Sequence, residues 1–239
     1  MTSSADEDGG GSTAPEQAPR SRTRYDALAY LPCSSILACR KSQTIYDGDQ
    51  APSHVYLVID GRVKVSRTTD DGRQIVVAIC LPDEFFGESA FLNLPKRNEQ
   101  ATALGDTKLM SWSAGEVEAL ILMRPRLGVA LIQNVAERVL DFAHRIESFS
   151  ADNIGRRLAR SLMRMAERRG VLEEDGMVGM LPLTHELLSQ YVGTSREIVT
   201  HYMSRLRKEG YVRYSRTGIH VHPEKLKEWL GREESRDYR

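Results

Sequence analysis

The sequence predicts an α+β protein in which a β-rich half, one long helix and a helix-turn-helix follow one another along the chain. Three observations predict this order. Short apolar strands alternate with Asp-Gly turns between about positions 43 and 112. A long apolar pattern of helical period runs over about 125–150. Two short amphipathic helices then meet at Gly193.

The chain ends and the composition limit the folded region and its location. Residues 1–24 hold Gly9-Gly10-Gly11, Ser, Pro and mixed charge with almost no apolar side chain, so we expect a disordered tail. The charged segment 231–239 is expected to fray. No apolar stretch approaches the roughly 20 residues of a membrane span, and no signal-peptide pattern is present. We therefore expect a cytoplasmic protein with no membrane partner.

The β-rich half is defined by its turns. Asp47-Gly48-Asp49, Asp60-Gly61 and Asp70-Asp71-Gly72 separate runs of β-branched residues. Asp-Gly between such runs is a strong hairpin signal, and several closely spaced strands indicate a small sandwich or barrel. Ser113 followed by Glu116 then predicts a capping box that opens a short helix.

The long helix should begin at Pro125, which suits a first helical turn, and reach about Ser150. Its apolar residues step alternately by four and three, which is the spacing of a coiled-coil seam. These positions are Gly128, Ile132, Val135, Val139, Phe142, Ile146 and Phe149. The stripe could instead pack on the barrel, but Leu127, Leu131, Ala136, Leu140 and Ala143 supply other apolar sides for that role. We expect a homodimer interface at Ile132, Val135, Val139, Phe142, Ile146 and Phe149.

The helix-turn-helix has separate signals for each of its helices. Thr184 can cap the first helix, and Gly193 supplies the permissive backbone of the turn. Thr194 and Glu197 predict a capping box for the second helix. Its buried stripe is expected at Val199, Met203 and Leu206.

The other face of the second helix carries the functional signal. It presents Arg and Glu at its start and short hydrogen-bonding side chains after them. Arg196 can bind guanine O6 and N7 together, and Glu197 can accept from cytosine N4 or act as a cap alone. The pattern predicts a helix for the DNA major groove. The candidate DNA contacts here are Thr184, His185, Ser195, Arg196, Glu197, Thr200, His201 and Ser204.

The distribution of charge agrees with this interpretation. The whole chain has 33 basic and 33 acidic residues, a net charge of zero. From Asp152 onward, 17 Lys and Arg stand against 13 Asp and Glu, whereas the preceding part has 16 against 20. A basic C-terminal part joined to an acidic N-terminal part is typical of a DNA-binding module attached to another domain.

Three stretches of the chain resemble the cyclic-AMP receptor protein/FNR (Crp/Fnr) family of bacterial transcription regulators. They are Ile45-Tyr46-Asp47-Gly48-Asp49 through Val63, Phe85-Phe86-Gly87-Glu88, and Val192-Gly193-Thr194-Ser195-Arg196-Glu197. The resemblance covers roughly positions 28–221. It implies a cyclic-nucleotide-binding-like β-roll (jelly roll) at 25–124, a dimerisation helix at 125–151 and a winged helix-turn-helix at 152–230.

The resemblance also implies a function and partners. We expect a homodimer that binds palindromic double-stranded DNA, with RNA polymerase as a further partner. In the segment that resembles the family's wing, Arg213 and Arg216 are placed for phosphates. A cyclic-nucleotide-binding signalling module whose helix-turn-helix contacts a protein stays an alternative. No Gly-rich phosphate loop, nucleophile elbow or metal-ligand cluster is present, so we expect neither an enzyme nor a metal site.

The effector is less well determined by the residues. Family members that bind nucleotides use a Gly-Glu pair and a downstream Arg-Ser, and this chain offers Gly87, Glu88, Ser89, Arg97 and Asn98. Asp141 and Phe142 align where cyclic-AMP binders carry a Thr-Ser pair, and they cannot reproduce its two hydroxyls. This disfavours cyclic AMP. Another nucleotide, another small effector and no ligand at all stay open.

The three cysteines argue against an iron-sulfur cofactor. A [4Fe–4S] cluster needs four thiolates, and this chain has only Cys33, Cys39 and Cys80, without a Cys-x-x-Cys pair. Three scattered cysteines in a cytosolic protein indicate incidental or buried thiols, with a thiol redox sensor as the alternative.

Overall fold

The computed structural model describes residues 29–32, 34, 36–92, 94–96, 99–215 and 217–237. The tail predicted at 1–24 lies outside them, as do Cys33, Arg97, Asn98 and Arg216. Helices and antiparallel sheets occupy the described residues in the predicted order, which confirms the α+β class. No described helix is long and apolar enough to cross a membrane.

The N-terminal domain is a β-roll of two antiparallel four-stranded sheets, ordered β1-β8-β3-β6 and β2-β7-β4-β5. The strands are β1 (Ile36–Cys39), β2 (Thr44–Tyr46), β3 (His54–Asp60), β4 (Val63–Thr68), β5 (Gln74–Cys80), β6 (Phe85–Phe86), β7 (Gln100–Ala103) and β8 (Thr107–Ser113). A short 3₁₀ helix covers Glu88–Leu92. The predicted Asp-Gly turns are present, and Gly61 and Gly72 adopt φ of +85° and +80°. Val58, Phe86 and Leu109 lie in the core between the two sheets and are fully buried.

Two helices follow the β-roll. In α1 (Ala114–Met123) the Ser113–Glu116 capping box is formed as predicted. Then α2 (Pro125–Ala151) begins at the predicted proline. Leu127 and Ala130 of α2 are buried, and they pack in one cluster with residues of β3, β8 and α1.

The apolar seam of α2 lies at the surface of the protein. Ile132, Val139 and Ile146 are 69%, 57% and 67% exposed. The prediction that Ala136, Leu140 and Ala143 pack inward is wrong, because all three are exposed. Beyond Leu131 the inward side of α2 is polar instead, and its buried positions there are Arg145 and Ser148.

The C-terminal domain combines four helices with a small sheet of order β11-β12-β10-β9. Its elements are α3 (Ile154–Arg169), β9 (Val171–Leu172), β10 (Val178–Met180), α4 (His185–Val192), α5 (Arg196–Lys208), β11 (Val212–Tyr214), β12 (Ile219–Val221) and α6 (Pro223–Asp237). Helix α6 continues past position 231, where the sequence predicted a fraying tail. Its tryptophan, Trp229, is buried in the domain core, and that burial holds α6 on the domain.

The two domains share part of one core. Val76 and Ile79 of β5 are buried in the same cluster as α3, α4 and α5 residues of the C-terminal domain. Strand β5 is the edge of its sheet, so its outer side is free to meet the C-terminal domain. The helix-turn-helix is therefore positioned by direct packing on the β-roll.

Candidate nucleic-acid interface

The helix-turn-helix is formed by α4 and α5 with a left-handed glycine between them. The Thr184 hydroxyl accepts from the backbone N–H of Leu187 at 3.1 Å, which caps α4 as predicted. Gly193 ends α4 with φ of +75°. A Cβ at Gly193 would lie 2.8 Å from Phe149 Cε1 of α2. This turn therefore needs glycine for its backbone conformation and for the close approach of an aromatic ring.

The start of α5 differs from the prediction by one residue. The predicted Thr194–Glu197 capping box is absent, and the Ser195 hydroxyl accepts from the Ile198 N–H at 3.4 Å. The reason is that the Thr194 N–H still donates to the Ser189 carbonyl of α4 at 3.0 Å. The chain consequently enters the second helix one position later than the sequence pattern indicated.

Glu197 is exposed and ionised at the start of α5. Its own backbone N–H and the Ser195 hydroxyl both donate to the carboxylate, and they lower its pKa. Hydrogen bonding thus keeps an acceptor at the surface in the first turn, beside the exposed Arg196. The two side chains offer one charged acceptor and one charged donor to the same ligand.

The polar face of α5 is accessible over its first three turns. Arg196, Glu197, Thr200 and His201 are exposed and Ser204 is half-buried. On the opposite face Val199, Met203 and Leu206 are buried, as predicted, so this face is held outward. Burial of one stripe and exposure of the other fix the rotation of the helix about its axis.

His185 connects three parts of this surface. Its Nδ1 lies 2.9 Å from the Thr200 hydroxyl, which also donates to the Arg196 carbonyl at 2.9 Å. The imidazole packs edge-on against Tyr214 of β11, with ring centroids 5.3 Å apart. Burial, with a smaller effect from the charge of Arg196, lowers the pKa of His185. The neutral ring thus joins α4, α5 and the wing.

The predicted wing is the β11–β12 hairpin, and Arg213 on it is already paired. Its guanidinium lies 3.2 Å from the Glu173 carboxylate and 2.9 Å from that of Asp175, on the turn between β9 and β10. The side chain is still 57% exposed, so these ion pairs position it without removing it from the surface. Arg207, which the sequence analysis did not single out, lies over the Tyr214 ring at 5.1 Å.

A cavity of about 280 Å³ in the β-roll contains most of the described candidate effector residues. Gly87, Glu88, Ser89 and Phe142 line it, together with Tyr46, Glu99 and Arg138. The Tyr46 and Ser89 hydroxyls donate to Glu99 at 3.0 and 3.3 Å. The lining therefore combines an aromatic wall with several polar groups that are already hydrogen-bonded.

Arg138 is a cavity residue that the sequence analysis missed. Its guanidinium donates to the Glu88 carboxylate and to the Phe85 carbonyl, and its side chain is only 16% exposed. No local pattern marks Arg138, because a single arginine beside the apolar seam of a helix is an ordinary surface position. Glu88 consequently meets a cation of its own chain in this cavity.

Asp141, which the sequence analysis placed with the effector residues, does not line this cavity. Its carboxylate accepts from the Tyr191 hydroxyl at 2.9 Å and lies 3.6 Å from Arg164 Nε. Because Tyr191 and Arg164 belong to the C-terminal domain, Asp141 is part of the contact between the domains. In this chain Asp141 and Phe142 therefore face different surroundings, and an effector role for Asp141 stays a prediction.

Arg145 is the second residue of α2 that only the structure identified. Its guanidinium donates to the carbonyls of Val77 and Val76 at 2.9 Å each and to that of Tyr191 at 3.1 Å. It also stacks over the Tyr191 ring at 4.2 Å. One buried side chain thus binds the long helix, the edge strand of the β-roll and the first helix of the helix-turn-helix.

Within the described part of the chain, the cysteines and acidic side chains form no metal site. Cys39 and Cys80 are free and buried, and burial raises the pKa of Cys80 to about 12. Among the residues that the structure describes, no group of three or more His, Cys, Asp or Glu is arranged to hold a metal ion. The winged helix-turn-helix and the β-roll cavity are the two sites that contain predicted functional residues.

Two family models match the chain at these two sites. One, for a cyclic nucleotide-binding domain, matches residues 37–123, and the other, for a Crp-like helix-turn-helix domain, matches residues 156–229. Together they span the β-roll and the C-terminal domain on either side of α2.

Individual proteins show the same relationship. The chain is 25% identical over 173 residues to a CRP-like cAMP-activated global transcriptional regulator of Mycobacterium tuberculosis, covering 72% of this chain and 77% of that one. It is 28% identical over 185 residues to the global nitrogen regulator of Nostoc, covering 77% and 82%. The solved structure of FixK2 from Bradyrhizobium japonicum superposes with a TM-score of 0.70 at 23% identity, covering 82% and 97%. That last likeness establishes the fold.

Proposed function

Because this chain belongs to the Crp/Fnr family of DNA-binding transcription regulators, we propose that it binds palindromic promoter DNA as a homodimer through α5. The observation that carries the proposal is the exposed polar face of α5 at 196–204, opposite a stripe that is wholly buried. A helix with this division of faces can enter the major groove without exposing its domain core.

The residues on this face divide into two roles. Arg196 and Glu197 stand at the helix start, where Arg donates twice to guanine and Glu accepts from cytosine N4. Thr200, His201 and Ser204 follow as neutral hydrogen-bonding groups further along the groove. Ser195, Thr184, His185 and Arg213, together with Arg216, which lies outside the described residues, are assigned to the phosphate backbone, which sets the register of the protein on the duplex.

The dimer is proposed from the exposed seam on α2. Its apolar side chains at Ile132, Val139 and Ile146 are more than half exposed in one chain, although they repeat at coiled-coil spacing. A second copy is the partner whose helix has the same spacing, and a twofold dimer matches a palindromic site. The two half-sites would then lie one helical turn apart, about 34 Å.

The DNA-reading role is tested with Arg196→Ala on the sequence selected from random duplexes by the full-length protein. We expect a loss of about 1–3 kcal/mol at the selected site and weaker discrimination between sequences, because a bidentate base contact is removed. Arg40→Ala, an exposed arginine before β2, is the matched control. Equal losses on selected and random duplexes would mean that Arg196 contacts only the backbone.

The dimer is tested with Val139→Glu, which places two like charges in the apolar seam. We expect a monomer in sedimentation velocity and a loss of DNA binding at protein concentrations where the wild type is dimeric. His144→Glu, exposed on another side of the same helix, is the control. A Val139→Glu protein that stays dimeric would refute the proposed interface.

Control by a small effector in the β-roll cavity is proposed, with a ligand other than cyclic AMP. Phe142 lines the cavity where cyclic-AMP binders carry a hydroxyl, and the Glu88 carboxylate is engaged by Arg138 of the same chain. The test is a DNA titration of the purified protein without effector, with cyclic AMP and with cyclic GMP. A large gain in affinity with cyclic AMP would contradict this reasoning.

A further inference from the structure

A second cavity, of about 230 Å³, lies between the two domains and is separate from the β-roll cavity. We call it the interdomain cavity. Its β-roll side is formed by Arg62, Ile79, Leu81, Pro82 and Asp83. Its C-terminal side is formed by Met165, Arg168, Met180, Leu181, Leu183 and Tyr191. Since neither domain alone has both walls, the cavity exists only while the domains are in contact.

Contacts at its edges hold the two walls together. Ile79 is buried in the shared core beneath the cavity. The Arg62 guanidinium donates to the Pro182 carbonyl, and Arg168 lies 2.7 Å from the Glu84 carboxylate. Each of these polar contacts joins one domain to the other. The cavity is therefore formed in advance of any ligand, which lowers the cost of binding.

The interior is mostly apolar and large enough for a small organic molecule. Leu81, Met165, Met180 and Leu183 are all partly buried and face the shared core. A dry apolar cavity of roughly 150 Å³ is enough to bind benzene. This cavity thus accommodates a single aromatic ring or a short alkyl chain and leaves room for a polar head group.

Arg62 is a cation in the lining of this cavity, and it forms no ion pair in the part of the chain that the structure describes. It is half-buried, and within the described residues no carboxylate lies within 4.0 Å of its guanidinium. Burial lowers the pKa of Arg62, as expected for a cation that lacks a counter-ion. Arg168 is paired with Glu84, and Asp83 contributes one negative charge at the rim. Because Glu84 neutralises Arg168, the charges of Arg62 and Asp83 balance, and Arg62 is the lining cation that forms no ion pair with a described carboxylate.

We propose that the interdomain cavity binds a small amphipathic monocarboxylate, with its carboxylate on Arg62 and its apolar body among Met165, Met180 and Leu183. Carboxylates are the preferred partners of a guanidinium because two parallel hydrogen bonds can form. The bound anion contacts both domains and therefore favours their docked arrangement. This site goes beyond the proposed function, since it uses neither the DNA-reading face nor the β-roll cavity.

The test uses the full-length protein in the absence of DNA. Phenylbutyrate is the probe, and its binding is measured by calorimetry and by ligand-observed NMR. We expect saturable binding of one phenylbutyrate per chain. Phenylbutyramide, which has the same shape without the charge, should bind about tenfold more weakly or worse, because the charge-assisted hydrogen bonds are lost. Arg62→Gln should weaken phenylbutyrate binding by about the same factor. The matched control Arg40→Gln should leave it unchanged.

A second variant separates a lost site from a damaged fold. Met165→Trp fills the cavity with a larger apolar side chain, and it should abolish binding while the far-UV circular dichroism of the protein stays that of the wild type. Absence of saturable binding to the wild type overturns the proposal. Binding that survives both Arg62→Gln and Met165→Trp also overturns it, since the probe then lies elsewhere. Equal affinities for phenylbutyrate and phenylbutyramide overturn the assignment of an anion.

Discussion

Replacing Arg145 with alanine should uncouple the two domains and destabilise both. The Arg145 side chain is 8% exposed and donates three hydrogen bonds, two to β5 and one to α4. Because β5 is the edge strand of its sheet, no further strand is available to bond its outer carbonyls. Alanine would leave those carbonyls without the guanidinium and would remove its contact with the Tyr191 ring.

The size of the expected loss of stability in Arg145→Ala follows from two opposing effects. Each hydrogen bond from a charged donor contributes about 1.5–3 kcal/mol, and a buried cation over an aromatic ring contributes about 2 kcal/mol. Burying a guanidinium costs several kcal/mol, which its removal recovers. The net decrease in the free energy of unfolding should therefore be about 3 kcal/mol. Arg145→Lys should fall between wild type and alanine, since an ammonium cannot reach all three carbonyls in one geometry.

The chain offers a separate fluorescent probe for each domain. Trp112 is buried in the β-roll and Trp229 in the C-terminal domain, and they are the two tryptophans of the chain. Urea unfolding of Trp112→Phe and Trp229→Phe proteins, at one protein concentration, follows each domain alone. With Arg145→Ala we expect both midpoints to fall and to separate. The exposed neighbour His144→Ala is the control.

The reasoning would be refuted by an Arg145→Ala protein whose two transitions stay within about 0.5 kcal/mol of the wild type, the usual range for surface substitutions. It would also be refuted if the β-roll transition alone moved. In that case the hydrogen bond to the Tyr191 carbonyl would contribute nothing to stability, and Arg145 would stabilise only the edge strand of the β-roll.

Two further predictions concern the helix-turn-helix. Gly193→Ala should lower the free energy of unfolding by more than about 1 kcal/mol, because alanine is strained at positive φ and its Cβ meets the Phe149 ring. Thermal unfolding measures the loss. The control is Gly210→Ala, where φ is also positive but nothing lies within 4 Å of the added Cβ, so it shows the backbone effect alone. For His185, the lowered pKa means that the unfolded chain binds more protons below pH 6.5, so the free energy of unfolding should fall as pH falls below that value. His185→Gln should flatten this dependence in urea titrations at several pH values, and an unchanged slope would contradict the assignment.

The elements that the sequence predicted well are those set by near neighbours in the chain. The Ser113–Glu116 capping box, the Thr184 cap and the left-handed Gly193 each depend on residues no more than a few positions apart. The buried stripe of α5 likewise follows from helical spacing alone. The cap of α5 was mispredicted by one residue because the preceding turn keeps Thr194 bonded to α4, and two overlapping cap patterns cannot be ranked without that turn.

The prediction for the seam of α2 is confirmed only in part. Most of its apolar residues are exposed as a partner-facing seam requires, but Ala136, Leu140 and Ala143, expected on the side that packs on the β-roll, are exposed as well, and the homodimer interface stays a prediction. Phe149 has a second role that spacing could not show. Its ring reaches the Gly193 turn and lies under the Arg157 guanidinium at 4.9 Å. A residue at the end of a seam is thus shared between the seam and the helix-turn-helix.

The order of the domains, the helix-turn-helix and the outward face of α5 follow from the sequence, because periodicity and caps are local properties. The role of the polar side of α2 is visible only in the folded chain. Arg145 bonds carbonyls 68, 69 and 46 positions away, and Asp141 bonds a hydroxyl 50 positions away. A buried charge is tolerated only where the fold brings its acceptors together. Because those partners are distant in the chain, no local sequence pattern predicts them.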